Sequence, residues 1–284
     1  MQTRLPGQSV LSLRRRAKFL LFETEDFVLL NHLGMTGSWR IHHGEIEPRK
    51  HDHVILHFES GLKFVFNDPR RFGLLELISK DKLAGNRWLM HLGVEPLSDE
   101  FTQDLLFGRT RKRKGPIKGF LMDQKNVVGV GNIYASEVLF KAGVKPLRPA
   151  GRLSKAESAK LVLCIREILE KAIVAGGSTI STYRNSKGES GNFQAEFSVY
   201  DRKGRALRGL RDADRSRWIA GRNTFWCANA SVGQASAGLN SSIENNRIRT
   251  TAGLLTLTGV AHLCKERKRC AVIAEQVVRN SDRR

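Results

Sequence analysis

Between Val10 and about Ile78 the apolar positions come in short runs of strand length. Phe19–Phe22 and Phe27–Leu30 are separated by the acidic turn Glu23-Thr24-Glu25-Asp26, and Val54–Phe58 and Leu62–Phe66 flank Glu59-Ser60-Gly61, the pattern of a hairpin. Several such strands at close spacing predict a sandwich or barrel. Past Leu92–Leu97 the period becomes helical. A helix is predicted from Ser154 to about Ala175. Ser154 and Glu157 form its capping box, Leu161, Ile165, Ile168 and Leu169 its apolar face, and Gly176-Gly177 its stop. Residues 178–196 are rich in Ser, Thr, Asn and Gly, as in a functional loop. From about Ala206 periodicity fades, and the last fifty or so residues carry no core pattern.

Composition narrows the class. The chain has 284 residues, 40% apolar and 27% charged, enough for two packed domains. It contains no run of about eighteen apolar residues and no secretory leader pattern, so a cytoplasmic protein away from membranes is expected. Cys164, Cys227, Cys264 and Cys270 are spaced too irregularly for a disulfide framework. The formal charge of +20 predicts binding to a polyanion by counterion release. No basic amphipathic helix favours a membrane surface, so nucleic acid is the expected partner.

Three clusters could act on it. In Asp123–Ala135 the glycines Gly129 and Gly131 permit close backbone approach and Asn132 is a good helix cap. Arg109, Arg111, Lys112, Arg113, Lys114 and Lys118 lie just upstream. A clamp on the duplex backbone is a better reading of this combination than a packing joint between helices. Loops His32–Gly37 and Asn67–Gly73 carry Met35, Arg70, Arg71 and Phe72. Such side chains can fill the hole left by an extruded base, and apolar ones fit a core equally well. Lys18 follows three arginines, whose charge would lower its pKa and suit it to proton transfer; a phosphate-binding strand end is the alternative.

Taken together, residues 14–18, 32–37, 50–54, 68–73, 91–99, 121–137 and 176–179 resemble, in order, the motifs of the bacterial formamidopyrimidine-DNA glycosylases. The resemblance covers residues 4 to about 204 and favours the purine-specific branch. It implies an α+β fold: an N-terminal β-sandwich, a helix–two-turns–helix domain and a C-terminal zinc-ribbon hairpin. The expected boundaries are 1–95 for the sandwich (incomplete here), 96–197 for the helical domain, 198–230 for a degraded ribbon, and 231–284 with no fold assigned. The implied function is base-excision repair of duplex DNA carrying oxidised purines, by a monomeric glycosylase and apurinic-site lyase. In the family an N-terminal proline attacks C1′, expels the base and forms a Schiff base, and two eliminations follow. By resemblance Lys18 transfers protons in β-elimination and Arg222 serves δ-elimination. Met35, Arg70 and Phe72 fill the void, His51, Arg71, Lys114, Lys118 and Asn132 hold the DNA, and Ser178–Phe193 closes over the lesion.

The sequence also departs from the family. Alignment on Lys18 leaves roughly forty family residues, with the proline and its neighbouring glutamate, without a counterpart. Zinc is the family's metal, but Cys227 is its one surviving ligand, with Leu207, Leu210 and Ala230 where other cysteines belong; this chain is expected not to bind it. Back-translating Gly204–Arg215 and reading one nucleotide later can spell the missing first pair. We therefore expect frame slips near residues 204, 215–220 and 229, with 231–284 out of frame. The alternative to an enzyme is a catalytically inactive remnant that still binds damaged DNA.

Overall fold

The computed structural model describes residues 3–178, 191–201, 215–227 and, as backbone only, 271–275. The expectations for Leu207, Leu210, Ala230, Cys264, Cys270 and most of 179–190 and 231–284 lie outside the described residues. No described helix is long and apolar enough to cross a membrane. The chain divides into two compact units, residues 1–90 with 175–194 and 251–284, and residues 91–174 with 195–250. Residues 215–227 of the segment expected as a degraded ribbon fall in the second of these units.

The first unit is a sandwich of two sheets. One has the order β2(Ser12–Arg16), β3(Phe19–Glu23), β4(Phe27–His32), β8(Leu74–Ser79), all antiparallel neighbours. The other has the order β1(Gln8–Ser9), β11(Ala271–Glu275), β6(Asp52–Phe58), β7(Leu62–Asn67), β5(Ser38–His43). Both predicted hairpins form, because alternate residues face the shared core: Phe22, Leu29, Trp39, Val54, Leu56, Leu62, Phe64 and Phe66 cluster there. The buried indole of Trp39 donates to Asn31 Oδ1 at 2.9 Å, so the amide inside this core has a partner.

The strand β11 lies within 231–284, to which no fold was assigned. It runs antiparallel between β1 and β6, with Val272 opposite both Gln8 and Phe58. No local pattern announced it, since its backbone groups are satisfied by strands distant in sequence.

The second unit is helical: α1(Gln103–Thr110), α2(Ile117–Met122), α3(Asn132–Ala142) and α4(Lys155–Val174). The predicted capping box starts α4, with Glu157 N–H donating to Ser154 Oγ at 3.1 Å and Ser154 N–H to Glu157 Oε2 at 2.8 Å. Leu161, Ile165 and Ile168 are buried along it. A hairpin, β9(Arg215–Ile219) and β10(Arg222–Trp226), turns through Ala220 and Gly221 at φ 50° and 70°. Two successive left-handed residues make the tight turn whose twist suits antiparallel strands.

Candidate nucleic-acid interface

In the sandwich unit, loops 33–37 and 67–73 form one body around Asp68. Its carboxylate is buried, at 1% exposure. One oxygen accepts the Thr36 hydroxyl at 2.5 Å, and the other accepts Gly73 N–H at 2.7 Å. Thr36 Oγ1 in turn accepts Arg70 N–H at 3.2 Å. The Asp68 backbone extends the network, donating to the His51 carbonyl at 3.0 Å and accepting Arg71 N–H at 3.2 Å. The carbonyl also takes His53 Nε2 at 2.9 Å, and a register shift between Asp52 and Val54 leaves His53 out of the ladder. Gly34 backs directly onto this body: a Cβ there would lie 2.6 Å from the Phe72 carbonyl carbon.

This packing projects the predicted void-fillers outward. Met35 is 68% and Phe72 58% exposed, far from the usual state of large apolar residues, and the Arg70 guanidinium lies over the Phe72 ring at 4.8 Å. The core reading of Met35 and Phe72 is thereby removed. His51 and Arg71 adopt left-handed backbone, φ 71° and 56°, each held by its bond to Asp68.

Lys18 follows Ala17, itself at φ 53°, and its pKa is lowered by desolvation. The direction matches the expectation, but the cause does not, since protein packed around the ammonium does what neighbouring arginines were expected to do. The residue still has an exposed surface, which limits the effect. His32 is lowered too, by burial first and then by the Lys18 charge. Its Nδ1 accepts Gly34 N–H at 3.0 Å, as a neutral ring requires.

In the helical unit the cation run splits. Arg109 donates to the Asn126 carbonyl at 2.6 Å, and Arg111 stacks on Phe107 at 4.0 Å while bonding the Leu153 carbonyl at 2.6 Å. Lys112, Arg113 and Lys114 are exposed. Lys118, expected among the DNA contacts, requires correction. It is fully buried at 0%, its ammonium donating to Asn132 Oδ1 at 2.7 Å, Thr224 Oγ1 at 2.8 Å and the Asn223 carbonyl at 3.5 Å. Burial pulls its pKa down to about 8, and these acceptors favour the charged form, so it is a proton-bearing donor at neutral pH. It reaches no solvent and ties α2 and α3 to β10. Asn132 also corrects a detail: extended Gly131 is the cap and Asn132 the first helical residue. Its side chain serves Lys118 and donates to the Asn223 carbonyl at 3.0 Å instead of closing the helix end. Arg222 stands exposed beside the hairpin turn.

Comparison with known proteins adds to this geometry. The formamidopyrimidine-DNA glycosylase N-terminal domain model matches residues 1–75, and the formamidopyrimidine-DNA glycosylase H2TH domain model matches 92–184. A formamidopyrimidine-DNA glycosylase of Bdellovibrio bacteriovorus is 47% identical over 224 residues, covering 79% of this chain and 82% of that one. The chain belongs to the formamidopyrimidine-DNA glycosylase family. Among solved structures, the MutM (Fpg) protein of Thermus thermophilus matches with a TM-score of 0.72 at 39% identity, over 79% of this chain and 83% of that one. Lactococcus lactis Fpg in complex with DNA containing an abasic site matches with 0.71 at 32%, over 82% and 95%. The sandwich and the helical H2TH domain are those of formamidopyrimidine-DNA glycosylases, as expected.

The zinc expected from the resemblance finds no set of ligands among the described residues of 198–230. Cys227 is 4% exposed and packs with Val199 and Phe225 in an apolar cluster. Among the described residues no three His, Cys, Asp or Glu side chains are placed to hold a metal. The hairpin is tied to the helices by the Lys118 bonds to Asn223 and Thr224, and Glu137 fixes the preceding segment, its carboxylate accepting the backbone N–H groups of Ser198, Val199 and Tyr200 at 2.8–3.0 Å.

Sequence reasoning missed Thr36, Asp68 and Glu137. An Asp-Pro pair opening a turn was the available sign for Asp68. Glu137 carried none, because its three partners lie about sixty residues downstream. Of Ser178–Phe193, expected to close over a lesion, residues 179–190 lie outside the described residues; at its base Asn192 N–H bonds the Ala175 carbonyl and Phe193 N–H the Gly177 carbonyl, both at 3.0 Å.

Proposed function

We infer that this chain recognises oxidised-purine lesions in duplex DNA within base-excision repair, as a formamidopyrimidine-DNA glycosylase with apurinic-site lyase chemistry. The observation that carries the reading is the Asp68-centred double loop, which holds Met35, Arg70 and Phe72 outward. Large apolar side chains held in water suit insertion into a base stack. Exposed Lys112, Arg113 and Lys114, with the net charge of +20, supply attraction to phosphates, and His51, Arg71 and Asn132 supply backbone contacts. A lowered Lys18 pKa suits proton transfer during β-elimination.

The glycosylase step needs an amine that attacks C1′, releases the base and retains the sugar as a Schiff base. A second reading, binding of damaged DNA without strand cleavage, is supported by the same outward wedge and exposed cations, since both act without a nucleophile. Borohydride trapping on an 8-oxoguanine duplex distinguishes them. A covalent adduct and cut strand support the enzyme. Preferential retention of an abasic-analogue duplex without an adduct supports the binding protein. Equal affinity for damaged and undamaged duplex removes both.

A further inference from the structure

The wedge residues themselves do not explain why they stay outward. Met35 and Phe72 are apolar, lie on separate loops, and would gain by collapsing onto the sandwich. The polar chain Arg70 N–H to Thr36 Oγ1 to Asp68 Oδ1, with Gly73 N–H to Asp68 Oδ2, joins the residue after Met35 to those on both sides of Phe72. Gly34 permits the contact between the two backbones, and Gly73 fits where a Cβ would lie 2.7 Å from Phe66 Cζ. A buried carboxylate with hydroxyl and amide donors is costly to open, because opening leaves it unsatisfied in a dry site.

We propose that Thr36 and Asp68 form a clasp that sets the two wedge loops as one rigid unit, making them positioning residues for lesion recognition. Neither side chain needs to touch DNA. Met35 and the Arg70–Phe72 pair arrive at the base stack preordered, so binding at a lesion does not bear the cost of fixing two loops. This inference rests on the void-filling role in the proposed function.

The test uses the full chain with two duplexes, one carrying a tetrahydrofuran abasic analogue and one undamaged. Thr36→Val keeps the side-chain shape and removes the hydroxyl. It is expected to lower the preference for the analogue about tenfold, the equivalent of one well-made hydrogen bond. Affinity for undamaged duplex stays within about twofold, because phosphate contacts dominate it. Thr36→Ser restores the preference. With 2-aminopurine opposite the analogue, the fluorescence change that reports insertion shrinks in Thr36→Val and returns in Thr36→Ser. A purely structural role would instead weaken both duplexes in parallel, and that result overturns the proposal. So does a Thr36→Val protein that keeps the wild-type preference. If Thr36→Val does not fold, hydrogen exchange on the unaltered protein decides: protected Arg70 and Gly73 amides support the clasp, and unprotected rates sink it. An unaltered chain with no preference for the analogue overturns the proposed function and this inference together, whereas loss confined to the clasp variant's prediction overturns the inference alone.

Discussion

Asp68 and Lys118 are both buried ionisable side chains that draw separate segments together, yet they serve opposite ends. Asp68 gathers hydroxyl and amide donors under loops that push apolar side chains into water. Lys118 gathers oxygen acceptors from α3 and β10 and shows nothing at the surface. The first arrangement holds two loops together beneath exposed apolar side chains, and the second joins a hairpin to helices. The sign of a residue's charge therefore says little about its role. In a protein of charge +20, the last cation of a basic run is an interior tie.

The largest expected effect is that of Lys118→Met. Two buried oxygens lose their donor, which outweighs relief from burying a charge, and we expect a loss of about 2–4 kcal/mol in the helical unit. Hydrogen exchange of β10 amides in urea measures it. The unaltered protein sharpens the point. With a folded pKa of about 8 against 10.5 unfolded, Lys118 holds fewer protons folded than unfolded between those values. Its contribution to stability therefore rises with pH across that window, and Lys118→Met flattens the rise. Next comes Asp68→Ala, expected to cost about 2–3 kcal/mol in the sandwich unit and to release the Gly73 amide to exchange. Ala220→Gly removes a left-handed alanine from the hairpin turn and should stabilise the helical unit by about 1 kcal/mol. A destabilised Ala220→Gly protein would show that the turn differs from the one described. The smallest effect is at His32, whose folded pKa lies below 6.5. As pH falls below that value the unfolded chain takes the proton first, so the sandwich loses stability on acidification, and His32→Phe should reduce this slope.

Local patterns outline the fold faithfully wherever the partners are near in the chain. The runs 19–22 and 27–30, and 54–58 and 62–66, pair across short turns, and Ser154 caps its helix through a residue three positions away. Legibility stops where partners are distant. Lys118 reads as a surface cation because lysine is almost never buried, and its bonds to Asn132 and to Asn223 and Thr224, the last two more than a hundred residues on, reverse that default. Asn132 reads as a cap, but tertiary acceptors and donors claim its amide. The motif loops are recognisable one by one; that Thr36 and Asp68 fuse them is written in no local pattern, since a hydroxyl and a carboxylate thirty-two positions apart carry no periodicity. Lys18 has the expected direction of shift from a different cause, because desolvation depends on packing that composition does not specify.

The place of β11 in the sandwich has a consequence during synthesis. Roughly 210 residues separate β6 from the strand that completes its ladder. At about 5–20 residues per second, that interval lasts roughly 10–40 s. Until then, the backbone of Ile55–Phe58 on its outer side is an open edge, able to pair with any extended segment, including one from a neighbouring nascent chain. The edge of β6 is thus the part of the sandwich that stays open longest, closing only when residues 271–275 have been made and laid against it.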